Sequence, residues 1–534
     1  MLELLREGMT NQQIANRLGI SLYGARYHVS EILSKLGVST REAAASWQPE
    51  APVSRHGLRG ILLAPLERLR DLSGWQIAGG TAIGVVGVAL VLLALGVLLA
   101  SLQEEPEPPS DLGKLVYVDD GDVWTLALPD GEPQRLTTDG RNHAPQWSPS
   151  GQWILFEKPV ERSTAELWMM RNDGSNARQL DANPYQQLSY HWAPGEDRLA
   201  YLSTDFGALT VENADGSSKV VLVSAQDEGW DGIGGFIHWS PDGGWLAIAV
   251  SERGDPSGDG PYRAPYVGLW AIRADGSEKR ELIAERDVGY GLLIAGWTPD
   301  SRQVIYSPDP SFSASFIADG LQWMSVPLGV DGPSPSGFAP DTGIDNSRRV
   351  LRYGDYTDVS PDGALVAVRG GGRETYLDKS IALVDTSTGI SFGDLTDPNQ
   401  VAATSPAWSP DGSTIVYVAQ PLGQGSDPWG VLDRRIWLMD ADGSNKRRLT
   451  DAEAWEERPQ WSKDGRYVLY VRPETGAALQ GREQPGSVEV VALRVSDGKE
   501  DPVTVMRYEV NNVETGIWYY GHFDWDQLFD WWQP

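Results

Sequence analysis

Four polar side chains near the N-terminus, Tyr23, Arg26, Tyr27 and Ser30, have the spacing of neighbours on one helical face. A guanidinium and three hydroxyls on an exposed face can donate hydrogen bonds to phosphate oxygens and to base edges. The opposite face of the same predicted helix is apolar and carries Ala25, Val29, Ile32 and Leu36. Such a helix packs its apolar side on a neighbour and leaves its polar side for a partner. These residues suggest recognition of double-stranded DNA.

Helix-capping signals indicate how this polar face is positioned. The string T-x-x-Q at residues 10–13 is a capping box that opens a short helix. Gly19 supplies a turn, and a second helix over residues 22–36 ends before Gly37. Two short helices joined by a tight glycine turn form a helix-turn-helix, whose second helix enters the major groove.

The same stretch resembles the LuxR-type helix-turn-helix family over about 45 residues, through I-A-x-x-L-G-I-S at 14–21, H-V-S-x-I-L-x-K-L at 28–36 and R-x-x-A at 41–44. The resemblance implies that Arg26 touches DNA, with Tyr27 and Ser30 beside it on the groove-facing side. Tyr23 shares the polar face with them and is a further candidate contact. His28 matches a common family histidine, which can also serve only to pack and stabilise the helix. We therefore predict an all-α DNA-binding domain at residues 1–47, with its first helix truncated.

An uncharged apolar stretch divides the chain. Between Asp71 and Glu104 there is no charged residue, and residues 77–102 are long enough to cross a bilayer as a helix. We predict a single transmembrane helix at 75–102, between a linker at 48–74 and an acidic, proline-rich linker at 103–112. Gly80 and Gly84 place small residues on one face of this helix, so it could pair with a second copy in a homodimer.

Charge on either side of the span predicts its orientation. Residues 1–70 hold nine basic and six acidic residues, which is +3 of the chain's net charge of -30 and leaves -33 for the rest. Because Lys and Arg resist translocation, the N-terminal part is expected in the cytoplasm and the C-terminal part outside the cell membrane.

The C-terminal part is built from an internal repeat. A tryptophan, replaced once by valine, is followed by a Pro/Asp/Gly-type turn in seven copies. The copies begin at Trp147, Trp192, Trp239, Trp297, Val359, Trp408 and Trp461. Proline and glycine favour the turn and alternating strands follow it, so each copy predicts four short antiparallel strands, one blade of an all-β propeller.

These repeats resemble TolB-like (WD-like) propellers over nearly all of residues 112–534. Residues 115–137 hold only the last three strands of a copy, and the aromatic stretch 517–525 is predicted to supply the missing inner strand. Pairing of N- and C-terminal strands would then close a ring of eight blades, or seven if one copy is not a blade. The propeller is predicted at 113–526, followed by a tail at 527–534.

The propeller part shows none of the common catalytic motifs. No G-x-S-x-G elbow follows a predicted strand, and no phosphate loop or metalloprotease helix is present. We therefore expect no enzyme, no catalytic residue, no cofactor and no metal ion. The alternative is a channel site for a metal or ligand, because His191, His238 and His522 precede tryptophans with a shared strand parity. The inserts at 251–265, 307–322 and 420–434 are alternative binding loops.

Together these patterns predict a multidomain, membrane-anchored one-component transcription regulator. Its helix-turn-helix would bind DNA, and its extracytoplasmic propeller would sense a ligand or protein partner. The alternative is a membrane-anchored propeller that acts as a binding or scaffold protein of the cell envelope and carries a vestigial helix-turn-helix.

Overall fold

The computed structural model describes residues 5–6, 9 and 17 and, of residues 111–534, all but 162–163, 183–188, 204, 206, 253–267, 285–291, 309–322, 330–335, 339–356, 371–378, 422–433, 452–453, 474–484, 510–517, 520–521, 524 and 526–527. The chain divides into two compact units, Met1–Ser110 and Asp111–Pro534. The predicted recognition helix, both linkers through residue 110 and the predicted span 75–102 lie outside the described residues. Where the chain is described, no helix is both long and apolar enough to cross a membrane.

The second unit contains eight four-stranded antiparallel sheets, so the prediction of an eight-bladed propeller is confirmed. Blade 1 contains β1 (Lys114–Asp119), β2 (Asp122–Ala127) and β3 (Gln134–Arg135). Blade 2 contains β4 (His143–Trp147), β5 (Trp153–Glu161), β6 (Thr164–Arg171) and β7 (Arg178–Gln179). Blade 3 contains β8 (Tyr190–Trp192), β9 (Arg198–Leu202), β10 (Ala208–Asn213) and β11 (Val220–Ser224). A short helix, α1 (Ala225–Glu228), then leads to blade 4. Blade 4 contains β12 (Trp230–Trp239), β13 (Trp245–Glu252), β14 (Gly268–Arg273) and β15 (Lys279–Ile283). Blade 5 contains β16 (Leu292–Trp297), β17 (Gln303–Pro308), β18 (Trp323–Pro327) and β19 (Ser336–Phe338). Blade 6 contains β20 (Thr357–Val359), β21 (Leu365–Gly370), β22 (Ser380–Asp385) and β23 (Ser391–Asp394).

The last blades complete the ring. Blade 7 contains β24 (Val401–Trp408), β25 (Thr414–Pro421), β26 (Arg435–Asp440) and β27 (Arg447–Arg448). Blade 8 contains β28 (Glu457–Trp461), β29 (Tyr467–Pro473), β30 (Pro485–Arg494) and β31 (Glu500–Glu509). The chain continues through a hairpin of β32 (Trp518–Tyr519) and β33 (His522–Phe523) to β34 (Phe529–Trp532), which joins blade 1. First strands of neighbouring blades contact one another, for example β12 with β16 and β24 with β28, so the first strand of each blade is innermost.

The Ser-Pro-Asp-Gly turn links the first two strands of a blade through a repeated hydrogen-bond pattern. In blade 7 the Ser409 hydroxyl donates to Asp411 at 2.7 Å and accepts from the Thr414 amide at 3.0 Å. Gly412 adopts a φ of +69°, which favours glycine, and donates its amide to the Ser409 carbonyl at 2.8 Å. The Ser409 hydroxyl also holds the pKa of Asp411 below its ordinary value. The aspartates of these turns therefore serve the hairpin, as the sequence indicates.

The hydrophobic core lies between the blades. One cluster joins Leu155 and Leu167 of blade 2 to Tyr190 and Leu199 of blade 3, and corresponding clusters join other neighbouring pairs. Each blade therefore buries its two faces against its neighbours, which is why a single repeat cannot fold alone.

Both chain ends close the ring, but not with the predicted strand. The strand β34 pairs with β1 in the register Tyr117↔Phe529 to Lys114↔Trp532, so the inner strand lies in the predicted tail 527–534 and not in 517–525. Both stretches are aromatic, and their pattern alone does not separate them. Strand pairing separates them, because Phe529–Trp532 pairs with β1 whereas Trp518 and Tyr519 pair with Phe523 and His522 in a separate hairpin.

Two further contacts hold this closure. The Trp531 indole donates to the Leu112 carbonyl at 2.6 Å, just before β1 begins. Arg507, on the outer strand of blade 8, pairs with Asp119 of β1 at 2.6 Å. The strand β1 is thus held by β34 within its own blade and by Arg507 of the neighbouring blade 8.

Candidate functional site

The predicted DNA-contacting residues cannot be placed. Tyr23, Arg26, Tyr27, His28 and Ser30 all lie outside the described residues, so their role stays a prediction. The candidate site that the structure describes lies in the propeller.

One position recurs on all eight inner strands and carries a polar residue in six of them. We call it the pre-tryptophan position, because it immediately precedes the blade tryptophan or the valine that replaces it. In ring order from blade 1 its residues are Asp530, Gln146, His191, His238, Gly296, Asp358, Ala407 and Gln460. Each pairs with the corresponding residue of the second strand, so all eight lie at one level of the ring.

At two junctions the pre-tryptophan residue is an aspartate that holds the next blade. The Asp358 carboxylate accepts a hydrogen bond from the Trp408 backbone amide at 2.6 Å, and Asp530 accepts one from the Trp147 amide at 2.8 Å. The indole Nε1 atoms of Trp408 and Trp147 are buried without a partner among the described residues. Burial raises the pKa of Asp358 to about 6, although the Trp408 amide acts in the opposite direction.

At three other junctions the tryptophan side chain makes the connection. The Nε1 atom of Trp239 donates to the His191 carbonyl at 3.0 Å, and that of Trp297 donates to the His238 carbonyl at 3.0 Å. Trp461 donates to the Ala407 carbonyl at 3.1 Å in the same way. At these junctions the connection uses the backbone carbonyl of the pre-tryptophan residue and not its side chain.

Blades 3 and 4, which are neighbours, both carry a histidine at the pre-tryptophan position. The ring centres of His191 and His238 lie 5.7 Å apart. The His191 ring is exposed to solvent, yet desolvation by the surrounding protein lowers its pKa. The shared strand parity of these two histidines, inferred from the sequence, is confirmed.

The remaining propeller histidines do not join this pair. His522 lies in the β32–β33 hairpin opposite Tyr519 and not on an inner strand, which corrects the expectation from its spacing to Trp525. His143 lies on β4 opposite Glu157, before Ala144 with a φ of +51° in a β-bulge. Burial lowers the pKa of His143, and its Nδ1 atom is enclosed without a partner in the described part of the chain.

A buried charge network was not predicted from the sequence. Glu457 pairs with Arg434 and accepts hydrogen bonds from the Trp455 and Trp525 indoles at 2.8 and 3.1 Å. Beside it Glu456 is fully buried and pairs with Arg472 at 3.0 Å. Burial raises the pKa of Glu456, against the hydrogen bonds from Thr450 and Arg472. The signal was a Glu-Glu-Arg run at the start of an inner strand, where other blades are less charged.

The family comparison identifies the N-terminal part. Residues 1–48 match the family model described as bacterial regulatory proteins, luxR family. The predicted LuxR resemblance of this stretch is therefore confirmed, and with it a DNA-binding domain.

The relatives found by sequence each match only part of this chain. The uncharacterized protein Atu1656 of Agrobacterium fabrum is 27% identical over 133 residues, which is 23% of this chain and 44% of that protein. The uncharacterized peptidase YuxL of Bacillus subtilis is 29% identical over 102 residues, which is 18% of this chain and 14% of that protein. The chain thus spans less than half the length of these relatives.

One expectation has to be corrected on this finding. The prediction that the chain is not an enzyme is wrong, because its relatives include a peptidase, YuxL. The physical reason is that a search for sequence motifs detects only catalytic groups that lie close together in the chain.

Among solved structures, the chain is similar to TolB from Acinetobacter baumannii, with a TM-score of 0.31 and 16% identity over 63% of this chain and 64% of that one. The chain therefore combines a luxR-family DNA-binding domain at residues 1–48 with an eight-bladed β-propeller that has TolB among its structural neighbours.

Proposed function

We propose that this protein is a membrane-anchored transcription regulator whose propeller senses a ligand or protein partner outside the cytoplasm. The observation that carries the proposal is the order of parts along the chain. A luxR-family match at residues 1–48 is followed by the uncharged apolar stretch 77–102 and then by the propeller. The basic charge before that stretch and the acidic charge after it support a cytoplasmic N-terminus.

A signal would pass by changing the population of dimers or of helix packings in the membrane. This requires that the ligand bind one state more tightly than the other. Gly80 and Gly84 provide a face on which two spans could approach each other. Since helix-turn-helix proteins read two half-sites as dimers, pairing of the spans would raise affinity for DNA.

The DNA-binding half of the proposal is tested with Arg26→Ala. Footprinting of the full chain on its own upstream region and on genomic fragments should show binding that this variant loses, with a less steep dependence on salt. Arg59→Ala in the predicted linker removes the same charge and serves as the matched control. Wild-type protein that protects no fragment, or equal loss in both variants, would contradict the assignment.

The topology half is tested by cysteine labelling, because the chain has no cysteine of its own. Ser277, in an exposed turn of blade 4, and Ser54, in the linker, are replaced singly by cysteine. A membrane-impermeant maleimide added to intact cells should label Ser277→Cys at once and Ser54→Cys only after permeabilisation. The reverse pattern, or labelling of neither until permeabilisation, would contradict an external propeller.

The sequence match to the peptidase YuxL supports a second candidate, in which the propeller part acts on peptides. Incubation of the full chain with a mixture of unstructured peptides, followed by mass spectrometry, tests it. New fragments that accumulate in proportion to protein concentration would support this candidate. An unchanged mixture would contradict it.

A further inference from the structure

Two imidazole rings lie side by side on the inner strands of blades 3 and 4. The ring centres of His191 and His238 are 5.7 Å apart, with 45° between the ring planes. Both residues occupy pre-tryptophan positions, on β8 and β12, and His191 is exposed to solvent. Both histidines therefore lie on the strands that surround the axis of the ring.

A hydrogen bond fixes which ring nitrogen of His191 is free. Its Nδ1 atom lies 3.0 Å from the Trp192 carbonyl oxygen. A carbonyl can only accept, so Nδ1 carries the proton and Nε2 keeps its lone pair. Metal-binding histidines have this arrangement, in which one nitrogen donates to a backbone carbonyl and the other binds the ion.

The separation of the two rings suits one shared ion. With metal–nitrogen bonds of roughly 2.1 Å, two imidazoles on one ion have ring centres about 5 Å apart. The observed 5.7 Å between the ring centres is close to that value.

We infer that His191 and His238 bind one transition-metal ion, such as Cu²⁺ or Zn²⁺, in the propeller channel. Imidazole nitrogen suits these ions, whereas Ca²⁺ and Mg²⁺ prefer oxygen ligands. Across the described residues, no group of three or more His, Asp or Glu side chains is placed to hold a metal. Two protein nitrogens therefore leave the other coordination positions to water or to an incoming ligand. The site stands independently of any role in transcription.

The test is binding of Cu²⁺ to the untagged full chain, measured by equilibrium dialysis and by electron paramagnetic resonance at one equivalent. The expected spectrum shows hyperfine coupling to two imidazole nitrogens. His191→Gln and His238→Gln should each weaken binding at least about 10- to 100-fold, because losing only an outer-shell partner costs that much. His143→Gln is the matched control, since that imidazole lies on β4 with its Nδ1 atom enclosed, and binding should be unchanged.

Unchanged binding in the double variant His191→Gln/His238→Gln would overturn the inference, as would the absence of stoichiometric binding to the wild type. If a variant does not fold, a measurement on the wild type replaces it. Zn²⁺ should slow modification of His191 by diethyl pyrocarbonate at least tenfold, and an unchanged rate would overturn the inference. DNA footprinting is a separate readout, so failure of the metal site and failure of the proposed regulator are distinguishable.

Discussion

The junctions between blades use one position of the repeat in two different ways. Where the pre-tryptophan residue is aspartate, as at Asp358 and Asp530, its carboxylate accepts the backbone amide of the next tryptophan. Where it is histidine or alanine, the next indole donates to its backbone carbonyl. Five of the eight junctions show one of these two connections in the described part of the ring.

The comparison shows that a repeat can conserve its geometry while exchanging the group that carries the hydrogen bond. A carboxylate junction satisfies the tryptophan backbone and leaves its indole N–H unpaired, as for Trp147 and Trp408. An indole junction contains no titrating group in its connection, which uses the backbone carbonyl of the residue before the tryptophan and not its side chain. Of the two kinds of connection, the carboxylate one contains a titrating group and should respond to pH, whereas the indole one does not use the pre-tryptophan side chain.

The largest effect is expected at the closing junction, where Trp531 follows Asp530 on β34. Trp531→Ala removes a buried aromatic side chain and its hydrogen bond to the Leu112 carbonyl. The expected loss is about 3–5 kcal/mol in the free energy of unfolding, measured by urea denaturation of the full chain. Val505→Ala, at an exposed apolar residue of blade 8, should change it by no more than about 0.5 kcal/mol. A loss below about 1 kcal/mol for Trp531→Ala would show that the ring does not depend on this strand.

The second effect is a pH dependence confined to a carboxylate junction. Because the pKa of Asp358 is raised to about 6 from an ordinary 3.8, the folded chain binds this proton more tightly than the unfolded chain does. The stability from this group is complete below pH 3.8 and is lost as pH rises through 6, by about 3 kcal/mol in total. Asp358→Asn keeps an acceptor for the Trp408 amide and should remove that slope between pH 4 and 7.

Asp411→Asn is the control of opposite sign. The Ser409 hydroxyl lowers the pKa of Asp411, so its stabilisation is present above its ordinary pKa and is lost as pH falls. Difference curves of unfolding free energy against pH, each variant minus wild type, should therefore slope in opposite directions. Parallel curves would refute the assignment for Asp358.

The smallest effect separates the two uses of tryptophan directly. Trp239→Phe deletes an indole N–H that bonds the His191 carbonyl, whereas Trp408→Phe deletes one that has no partner among the described residues. Both changes remove similar volume from similar sites, with 5% and 6% of the side chains exposed. Trp239→Phe should cost about 1 kcal/mol more than Trp408→Phe in urea denaturation. Equal losses would mean that the junction hydrogen bonds contribute nothing.

Much of the propeller was predictable because its turns are specified locally. Ser, Asp and Gly in the repeated turn each make hydrogen bonds or dihedral angles within five residues, so their pattern is visible in the sequence. The blade count followed from the spacing of those turns. The closing strand did not follow, because it has no turn after it and its aromatic residues resemble those of 517–525.

The candidate site was predictable only in part, for the same physical reason. The pairing of His191 with His238 follows from their shared place in the repeat. The bonds from Asp358 to Trp408 and from Glu457 to Arg434, in contrast, join residues 50 and 23 positions apart, and no local pattern specifies them. The DNA-contacting residues stay a prediction from the family resemblance.

The attachment of Leu112 to Trp531 has a mechanical consequence. The covalent path from residues 103–111 enters the ring at Gly113, whose φ of +78° fits it against the Trp532 backbone. Any tension carried by that path would act first on the few hydrogen bonds between β1 and β34, the strand pair that closes the ring. Force applied through residues 103–111 would then separate these two strands and open the ring in the same step.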